Sequence, residues 1–207
     1  MFDYIKDPAA IYAKSFEMVR GEARLERFPE DIGETIIRLI HACGMPAIAD
    51  DIAFTDTAVK AGRAALKAGA PIFTDANMVA AGIIQRHLGG NDIICTLDND
   101  GVADDARTWK TTRSAAAVDR WVPRLDGAVV AIGNAPTALF RLLELIDDGA
   151  PKPAVVMGFP VGFVGAAESK DALAANQLGI EFLTLRGRVG GSAIASASVN
   201  ALAAGLT

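Results

Sequence analysis

Five short runs of β-branched and other apolar residues are spaced along the chain, and helical patterns lie before and between them. The runs cover residues 71–74, 92–96, 128–132, 154–157 and 181–185. The helical patterns cover residues 11–20, 30–43, 57–67, 135–146, 169–177 and 192–204. Strands that alternate with helices are typical of a parallel sheet with right-handed crossovers. The pattern therefore predicts an α/β protein with a mainly parallel, doubly wound sheet, and an exposed acidic loop at 97–108.

Composition limits the class of protein further. With 207 residues, 51% of them hydrophobic and 22% charged, the chain can form one domain with a buried core. The net charge of −5 disfavours a general nucleic-acid binder, which needs a basic surface. A small anionic ligand remains possible, because a local arginine cluster outweighs a mildly acidic surface. We therefore expect a single domain, residues 1–207, without a nucleic-acid partner.

The cysteines and the ends of the chain indicate a cytoplasmic setting. Cys43 and Cys95 form no C-x-x-C pair, which disfavours a disulfide framework or a thiolate metal site. Acidic residues near the amino terminus interrupt the apolar stretch that a signal peptide needs. The apolar tail that starts at Val189 is broken by glycines and serines, and it predicts a buried helix rather than a membrane span. We expect no membrane segment.

Glycine-rich turns follow the third, fourth and fifth predicted strands, at 133–137, 158–165 and 186–192. Ligands of parallel sheets bind beyond the carboxyl ends of the strands, where N–H groups and helix N-termini favour anions. The alternative is that glycine only permits tight turns, but three such turns with cationic neighbours favour an anion site. Its expected members are Asn134, Thr137, Gly162, Lys170, Arg186 and Arg188.

Two details of these turns can be predicted. Asn134 is a good N-cap for the helix that follows, and Pro136 is tolerated in its first turn. None of the turns matches G-x-G-x-x-G or G-x-x-x-x-G-K-[ST], which makes a dinucleotide or triphosphate a weak interpretation.

His41 is the better placed of the two histidines. In the helix predicted over 30–43, Ile32, Ile36 and Leu39 share one face, and His41 points away from it. It lies in the last turn before Gly44, where the helix dipole favours a cation such as the imidazolium needed by a general acid. A solvent-facing histidine that merely suits this position is an equally good interpretation. His87 is expected to be a surface residue at a helix end.

Other chemistries are disfavoured. The chain has no H-E-x-x-H zinc motif and no G-x-S-x-G nucleophile elbow. Cys43 points about 200° away from His41 around the helix, which argues against a Cys–His dyad. What remains is an enzyme with one acid–base group, an anion-binding rim and no cofactor. An isomerase or mutase fits this description, since a single proton donor suffices there.

Long ordered strings of the sequence resemble the precorrin-8X methylmutase (precorrin isomerase) family of cobalamin biosynthesis. The resemblance spans almost the whole chain. It rests on strings within residues 7–20, 38–44, 68–79, 112–116, 132–139, 160–170 and 187–192, among them Arg38-x-x-His41-Ala42-Cys43-Gly44 and Gly187-Arg188-Val189-Gly190-Gly191-Ser192.

The resemblance implies a fold, a reaction and an assembly. The fold is a three-layer α/β/α sandwich, and the protein is a homodimer with tetrapyrrole sites near the subunit interface. The reaction moves a methyl group from C-11 to C-12 of precorrin-8X and yields hydrogenobyrinic acid, with His41 matching the family's proposed proton donor. Arg20, Arg113 and Arg188 are expected to bind substrate carboxylates, and Ser15 and Asn134 to form hydrogen bonds with the substrate.

Two departures from the family pattern concern substrate recognition. Many relatives, especially cobalt-dependent ones, carry an acidic residue after the glycine of the histidine motif, where this chain has Met45-Pro46-Ala47. Val189 likewise replaces a second basic residue. Both departures favour a cobalt-free substrate. The alternatives are the cobalt-precorrin-8 reaction, a tetrapyrrole carrier that hands product to other cobalamin-pathway enzymes, and a nucleotide- or sugar-phosphate-binding enzyme.

Overall fold

The computed structural model describes residues 2–206, and in this range it contains nine α-helices and six strands. The helices are α1 (Pro8–Glu22), α2 (Glu30–Cys43), α3 (Ala58–Lys67), α4 (Asn77–Gly82), α5 (Val102–Thr108), α6 (Arg113–Val118), α7 (Pro136–Asp147), α8 (Ala166–Ala174) and α9 (Ser192–Ala203). The strands are β1 (Ile52–Phe54), β2 (Ile72–Thr74), β3 (Ile93–Cys95), β4 (Val129–Ile132), β5 (Val155–Gly158) and β6 (Phe182–Leu185).

The strands form one sheet in the order β1-β6-β5-β4-β2-β3. Every neighbouring pair is parallel except β1 and β6, which pair antiparallel with Ile52 opposite Leu185. The five predicted strands and the mainly parallel sheet are confirmed. The strand β1 was not predicted, because its residues become a strand only through pairing with β6.

Alternate residues of each central strand pack against helices on opposite faces of the sheet. Val129 and Ala131 of β4 join a core cluster with residues of α2, α3 and α9. Val130 and Ile132 join a second cluster with residues of α7 and α8. Strands buried on both faces are continuous apolar runs, which is why the sequence shows them clearly. The expected three-layer α/β/α sandwich is confirmed.

The strand order reverses between β2 and β4. From β2 the chain continues through α4, which packs on the α9 side of the sheet, whereas β4 continues into α7 on the other side. When the helices that follow two neighbouring strands lie on opposite faces of the sheet, a crevice opens at the carboxyl ends of those strands. This crevice is the usual ligand site of such sheets. We call this place the switch point.

Several local predictions are corrected. Residues 97–108 are not entirely a loop, since α5 begins at Val102 after Gly101, a glycine with φ of 82°. The helix predicted at 169–177 begins earlier, at Ala166, after Gly165 with φ of 80°. The N-cap of α7 is Ala135 and not Asn134, although Pro136 does occupy the first turn. The short helices α4 and α6 were not predicted.

Within residues 2–206, no helix combines the length and the apolar character needed to cross a membrane.

Candidate active site

His41 lies on the exposed side of α2, as its position in the helix predicts. The opposite side is fully buried, with Ile32, Ile36 and Leu39 all 0% exposed. The helix ends after His41 because Gly44 adopts a left-handed conformation with φ of 69° and its N–H binds the Ile40 carbonyl at 2.7 Å. The imidazole therefore stands at the carboxyl end of α2, where the helix dipole favours a positive charge.

Helix α1 brings three side chains to His41. Its N-cap Asp7 accepts a hydrogen bond from the Ala10 N–H at 2.7 Å, which sets the start of the helix. Tyr12, Ser15 and Phe16 follow at i, i+3 and i+4, the spacing that places residues on one face. Because α1 packs against α2, this face meets the imidazole.

The contacts of the imidazole are one polar bond and two ring contacts. Ser15 Oγ lies 2.7 Å from His41 Nδ1. The Tyr12 ring centroid is 5.2 Å from that of His41 at an angle of 32°, and the Phe16 centroid is 5.5 Å away, edge to face. Two aromatic rings and one hydroxyl therefore fix the plane of the imidazole. Within residues 2–206, Nε2 has no hydrogen-bond partner.

His41 borders two open clefts. The first, of about 360 Å³, lies between α1 and the end of α2 and has largely apolar walls that include Ile11, Met18 and Pro46. The second, of about 230 Å³, lies between α1, α2 and α9. Its polar lining comes from Arg38, Ser196 and Asn200. An apolar bed with a few polar groups at its rim suits a large organic ligand that carries charges at its edge.

The arginines near this site differ in their availability. Arg20 donates to both carboxylate oxygens of Glu34, at 2.6 and 2.7 Å. Glu34 is therefore engaged with Arg20 and has no bond to His41. Arg38 lies over the Phe16 ring, 5.3 Å from its centroid, and forms no ion pair within the described residues. Arg38 is thus the cation beside His41 that is available to a ligand carboxylate.

At the switch point, the first glycine-rich turn already holds an anion of the protein. The backbone N–H groups of Gly133, Asn134 and Ala135 donate to the Asp75 carboxylate at 2.7–2.9 Å. The expectation that these N–H groups face a ligand is therefore wrong for this turn. Asn134 itself is exposed, and the half-buried Thr137 bonds to Thr112.

The other two glycine-rich turns pack against each other. The Gly162 N–H donates to the Arg188 carbonyl at 3.3 Å, and the Gly191 N–H donates to the Phe159 carbonyl at 2.8 Å. A side chain at Gly190 would collide with the Phe159 and Pro160 carbonyls, so glycine there permits the close approach of the two loops. These glycines serve packing as well as any ligand.

The cations of these two loops have separate environments. Lys170 is fully buried, and its Nζ donates to the Val189 carbonyl at 2.7 Å. It therefore holds the loop after β6 from the protein interior. Its burial lowers the pKa of the amine to about 8. Arg186 pairs with Asp171 at 2.7 Å. Arg188 is exposed, lies over the Phe163 ring, and has no ion pair within residues 2–206. Of the three, Arg188 is free to meet a ligand.

The structure thus divides the expected site residues into groups. Ser15 contacts His41, and Arg20 lies further along α1, bound to Glu34 of α2. Three residues lie around the switch point: Asn134, Thr137 and Arg113. The remaining four lie on the paired loops or next to them: Gly162, Lys170, Arg186 and Arg188.

Sequence reasoning missed four neighbours of His41. They are Tyr12, Phe16, Arg38 and Asn200. The i, i+3, i+4 spacing of residues 12, 15 and 16 was a usable signal for the aromatic pair. His87, expected to be a surface residue at a helix end, is the last residue of a short 3-10 helix, is half-buried, and lines an adjoining cleft with Tyr12 and Arg38.

Comparison with known proteins identifies the family. The family model described as precorrin-8X methylmutase matches residues 10–204. A precorrin-8X methylmutase of Pseudomonas aeruginosa is 54% identical over 98% of this chain and 98% of its own length. One of Sinorhizobium sp. is also 54% identical, over 98% of this chain and 97% of its own. The crystal structure of a precorrin-8x methyl mutase from Thermus thermophilus superposes with a TM-score of 0.85 at 39% identity, covering 94% of each chain. The chain belongs to the precorrin-8X methylmutase family.

Proposed function

We propose that this protein is an isomerase that converts precorrin-8X to hydrogenobyrinic acid by moving a methyl group from C-11 to C-12, with His41 as the proton donor. The observation that carries the proposal is the hydrogen bond between Ser15 Oγ and His41 Nδ1, at 2.7 Å, in a chain of this family. It gives the imidazole a fixed orientation at the junction of two clefts.

The hydrogen bond determines which nitrogen gives up its proton. In the imidazolium both ring nitrogens carry a hydrogen, and Nδ1–H donates to Ser15 Oγ. Since Nδ1 keeps its proton in that bond, Nε2 is the nitrogen that releases one. The carboxyl end of α2 stabilises the charge before release. His41 therefore donates one proton from one defined atom, and because substrate and product are isomers, the macrocycle returns a proton to Nε2 after the methyl group has moved.

Protonation lowers the barrier to methyl migration. A proton on the macrocycle withdraws electron density from the framework that holds the migrating carbon. A well-placed general acid contributes about 10²–10⁴-fold to a rate. The remaining acceleration comes from holding the ring in a productive conformation. The apolar walls of the larger cleft, together with Tyr12 and Phe16, offer a surface for a flat ring.

The substrate's acetate and propionate groups require cations at the rim. Arg38 and Arg188 have no ion pair within residues 2–206, and Arg113 has only a long contact of 3.8 Å with Asp98. These three are the proposed carboxylate partners, because a guanidinium fork matches a carboxylate. Arg20 and Arg186 already hold Glu34 and Asp171 and would have to exchange those partners.

The cobalt-free substrate is proposed over its cobalt complex. Both relatives at 54% identity are named precorrin-8X methylmutase, without cobalt. The run Met45-Pro46-Ala47 after the histidine motif also lacks the acidic residue typical of cobalt-dependent relatives. Parallel assays with precorrin-8 and cobalt-precorrin-8 test this choice, and faster turnover of the cobalt form would reverse it.

A homodimer is part of the proposal. Phe163 and Val164, on the loop after β5, are 83% and 89% exposed, and Met78 is 74% exposed. Phe163 and Val164 are adjacent in the chain, and contiguous exposed apolar side chains are typical of association surfaces. Sedimentation of the wild type is expected to give a dimer, and Phe163→Glu to shift it towards monomer. A monomeric wild type would contradict the proposal.

His41→Ala tests the reaction directly. In a single-turnover assay followed by absorption, the variant is expected to convert precorrin-8X about 10²–10⁴-fold more slowly than the wild type. Cys43→Ser is the matched control on the same helix, because its thiol packs towards the core, and it should keep the wild-type rate. Wild-type speed in His41→Ala would refute the mechanism. A wild type that leaves the spectrum unchanged would instead identify a carrier.

A further inference from the structure

The switch point of the sheet, where folds of this kind bind their ligands, holds a carboxylate of the protein itself. Asp75 directly follows β2, and Gly133 directly follows the neighbouring strand β4. Asp75 is only 2% exposed. A buried carboxylate needs hydrogen-bond partners. The position of Asp75 at the end of β2 places it beside the N–H groups of the turn that follows β4.

These N–H groups form a complete set of partners. Gly133 donates to Oδ1 of Asp75 at 2.8 Å, and Asn134 and Ala135 donate to Oδ2 at 2.9 and 2.7 Å. Burial raises the pKa of Asp75, and the three N–H groups oppose that rise. Helix α7 starts here without a side-chain cap from Ala135. Asp75 therefore holds the backbone immediately before α7, including the N–H of its N-cap residue Ala135, from the neighbouring strand β2.

The turn that Asp75 holds is linked to a second helix. Thr137, in the first turn of α7, has its Oγ1 2.7 Å from Thr112 Oγ1. Thr112 is the N-cap of α6 and accepts a hydrogen bond from the Ala115 N–H at 3.1 Å. The first residue of α6 is the exposed Arg113. Hydrogen bonds and the short stretch of backbone between them thus connect the buried carboxylate to Thr112, the residue that precedes Arg113.

We propose that Asp75 is a positioning residue, which sets the 133–137 turn and through it the orientation of Asn134, Thr137 and Arg113 towards the substrate. This inference rests on the proposed function, in which Arg113 binds a substrate carboxylate. Asn134 and Thr137 are likewise expected to bind the substrate. Because Asp75 occupies the backbone N–H groups of residues 133–135, a substrate carboxylate at the switch point does not bind these three groups.

The role of Asp75 is separate from proton donation. The contacts of His41 come from Tyr12, Ser15 and Phe16 on α1, and none comes from the 133–137 turn. Loss of the Asp75 bonds should therefore weaken substrate binding and leave the proton-transfer step intact. A residue with a merely structural role would lower stability without this selective effect.

Asp75→Asn is the direct test. The amide keeps the size of the side chain but replaces one acceptor oxygen by a donor that faces backbone donors. We expect KM for precorrin-8X to rise about tenfold, with kcat within about twofold of the wild type. Hydrogen exchange at residues 133–135 should also become faster.

Asn91→Ala is the matched control. Asn91 is a buried polar residue that lies just before β3, at the amino-terminal end of the strand. Its side-chain amide donates to the carbonyls of Leu66 and Ala70. It should lower the melting temperature and leave KM unchanged. A rise in KM for this control, equal to that of Asp75→Asn, would reduce the role of Asp75 to stability.

A second variant covers the case in which Asp75→Asn does not fold. Thr112→Val breaks the surface link to Thr137 and should raise KM about threefold to tenfold, whereas Thr112→Ser should restore it. Wild-type KM in Thr112→Val and in a folded Asp75→Asn would overturn the inference. The absence of turnover by the wild type would refute the proposed function instead, and the two failures are therefore distinguishable.

Discussion

Ser15 Oγ and His41 Nδ1 lie 2.7 Å apart, although 26 positions separate them in the chain. The contact exists because α1 packs against α2. The face of α1 that carries Tyr12 and Phe16 therefore meets the imidazole. A hydroxyl expected to bind the substrate is thus hydrogen-bonded to the proposed proton donor. Ser15 belongs with His41 in the proposed chemistry.

Removal of this hydroxyl should slow the reaction without abolishing it. Ser15→Ala leaves the imidazolium without its Nδ1 partner, and kcat is expected to fall about 10- to 100-fold, the loss typical of a hydrogen bond to a charged group. Single-turnover kinetics measure the effect. Glu17→Ala, on an exposed part of the same helix, should keep the wild-type rate. An unchanged rate in Ser15→Ala would show that Tyr12 and Phe16 orient the ring alone.

Arg188 and Arg186 should differ as carboxylate partners. Arg188→Ala is expected to weaken the binding of hydrogenobyrinic acid about tenfold, because its guanidinium has no ion pair within residues 2–206. Arg186→Ala should have a smaller effect, since Asp171 already holds that side chain. Titration calorimetry at two salt concentrations measures both. Equal losses in the two variants would contradict the assignment.

Lys170 should make stability depend on alkaline pH. Its pKa is lowered from 10.5 to about 8 by burial. Between these values the unfolded chain binds a proton that the native protein has released, so the free energy of unfolding rises with pH. The free energy of unfolding of the wild type should therefore rise relative to that of Lys170→Met between about pH 7.5 and about pH 10. Urea denaturation at these two pH values measures the difference. A difference that is constant with pH would contradict the lowered pKa.

Gly190 should tolerate no side chain. A Cβ atom there would collide with the backbone carbonyls of Phe159 and Pro160, which cannot move as a flexible side chain can. Gly190→Ala is expected to cost about 1–3 kcal/mol in the free energy of unfolding. Gly21→Ala is the control, because its added Cβ meets nothing within 4 Å in α1, and it should stabilise by about 0.5–1 kcal/mol. Denaturant titration compares the two.

Much of the fold could be predicted because buried parallel strands are continuous apolar runs. The five runs became β2 to β6, and the helix that carries His41 was predicted over its full length. The strand β1 was missed because its three residues become a strand only through pairing with β6. The helix α5 was missed because aspartates at its start look like a loop in the sequence, although acids suit a helix N-terminus.

The site was less accessible to sequence reasoning. The exposure of His41 follows from helix geometry, which the sequence encodes locally. The spacing of residues 12, 15 and 16 indicates that they share one helix face, but which group this face meets depends on how α1 and α2 pack, and no local pattern reveals that packing. The turn at 133–137 looked ready for an anion, and only the three-dimensional structure shows Asp75 already bound there.

His41 lies on α2, before the first strand, so the proposed proton donor belongs to a different part of the chain from the sheet. Residues 8–43 supply the proposed proton donor, its partners and Arg38, whereas segments that follow β3 and β6 supply the other two proposed carboxylate partners, Arg113 and Arg188. A protein organised in this way can lose its reaction and retain its ligand. His41 variants would then serve as stable receptors for an unstable tetrapyrrole, and protein engineers could change the arginine rim for new corrinoids without rebuilding the donor.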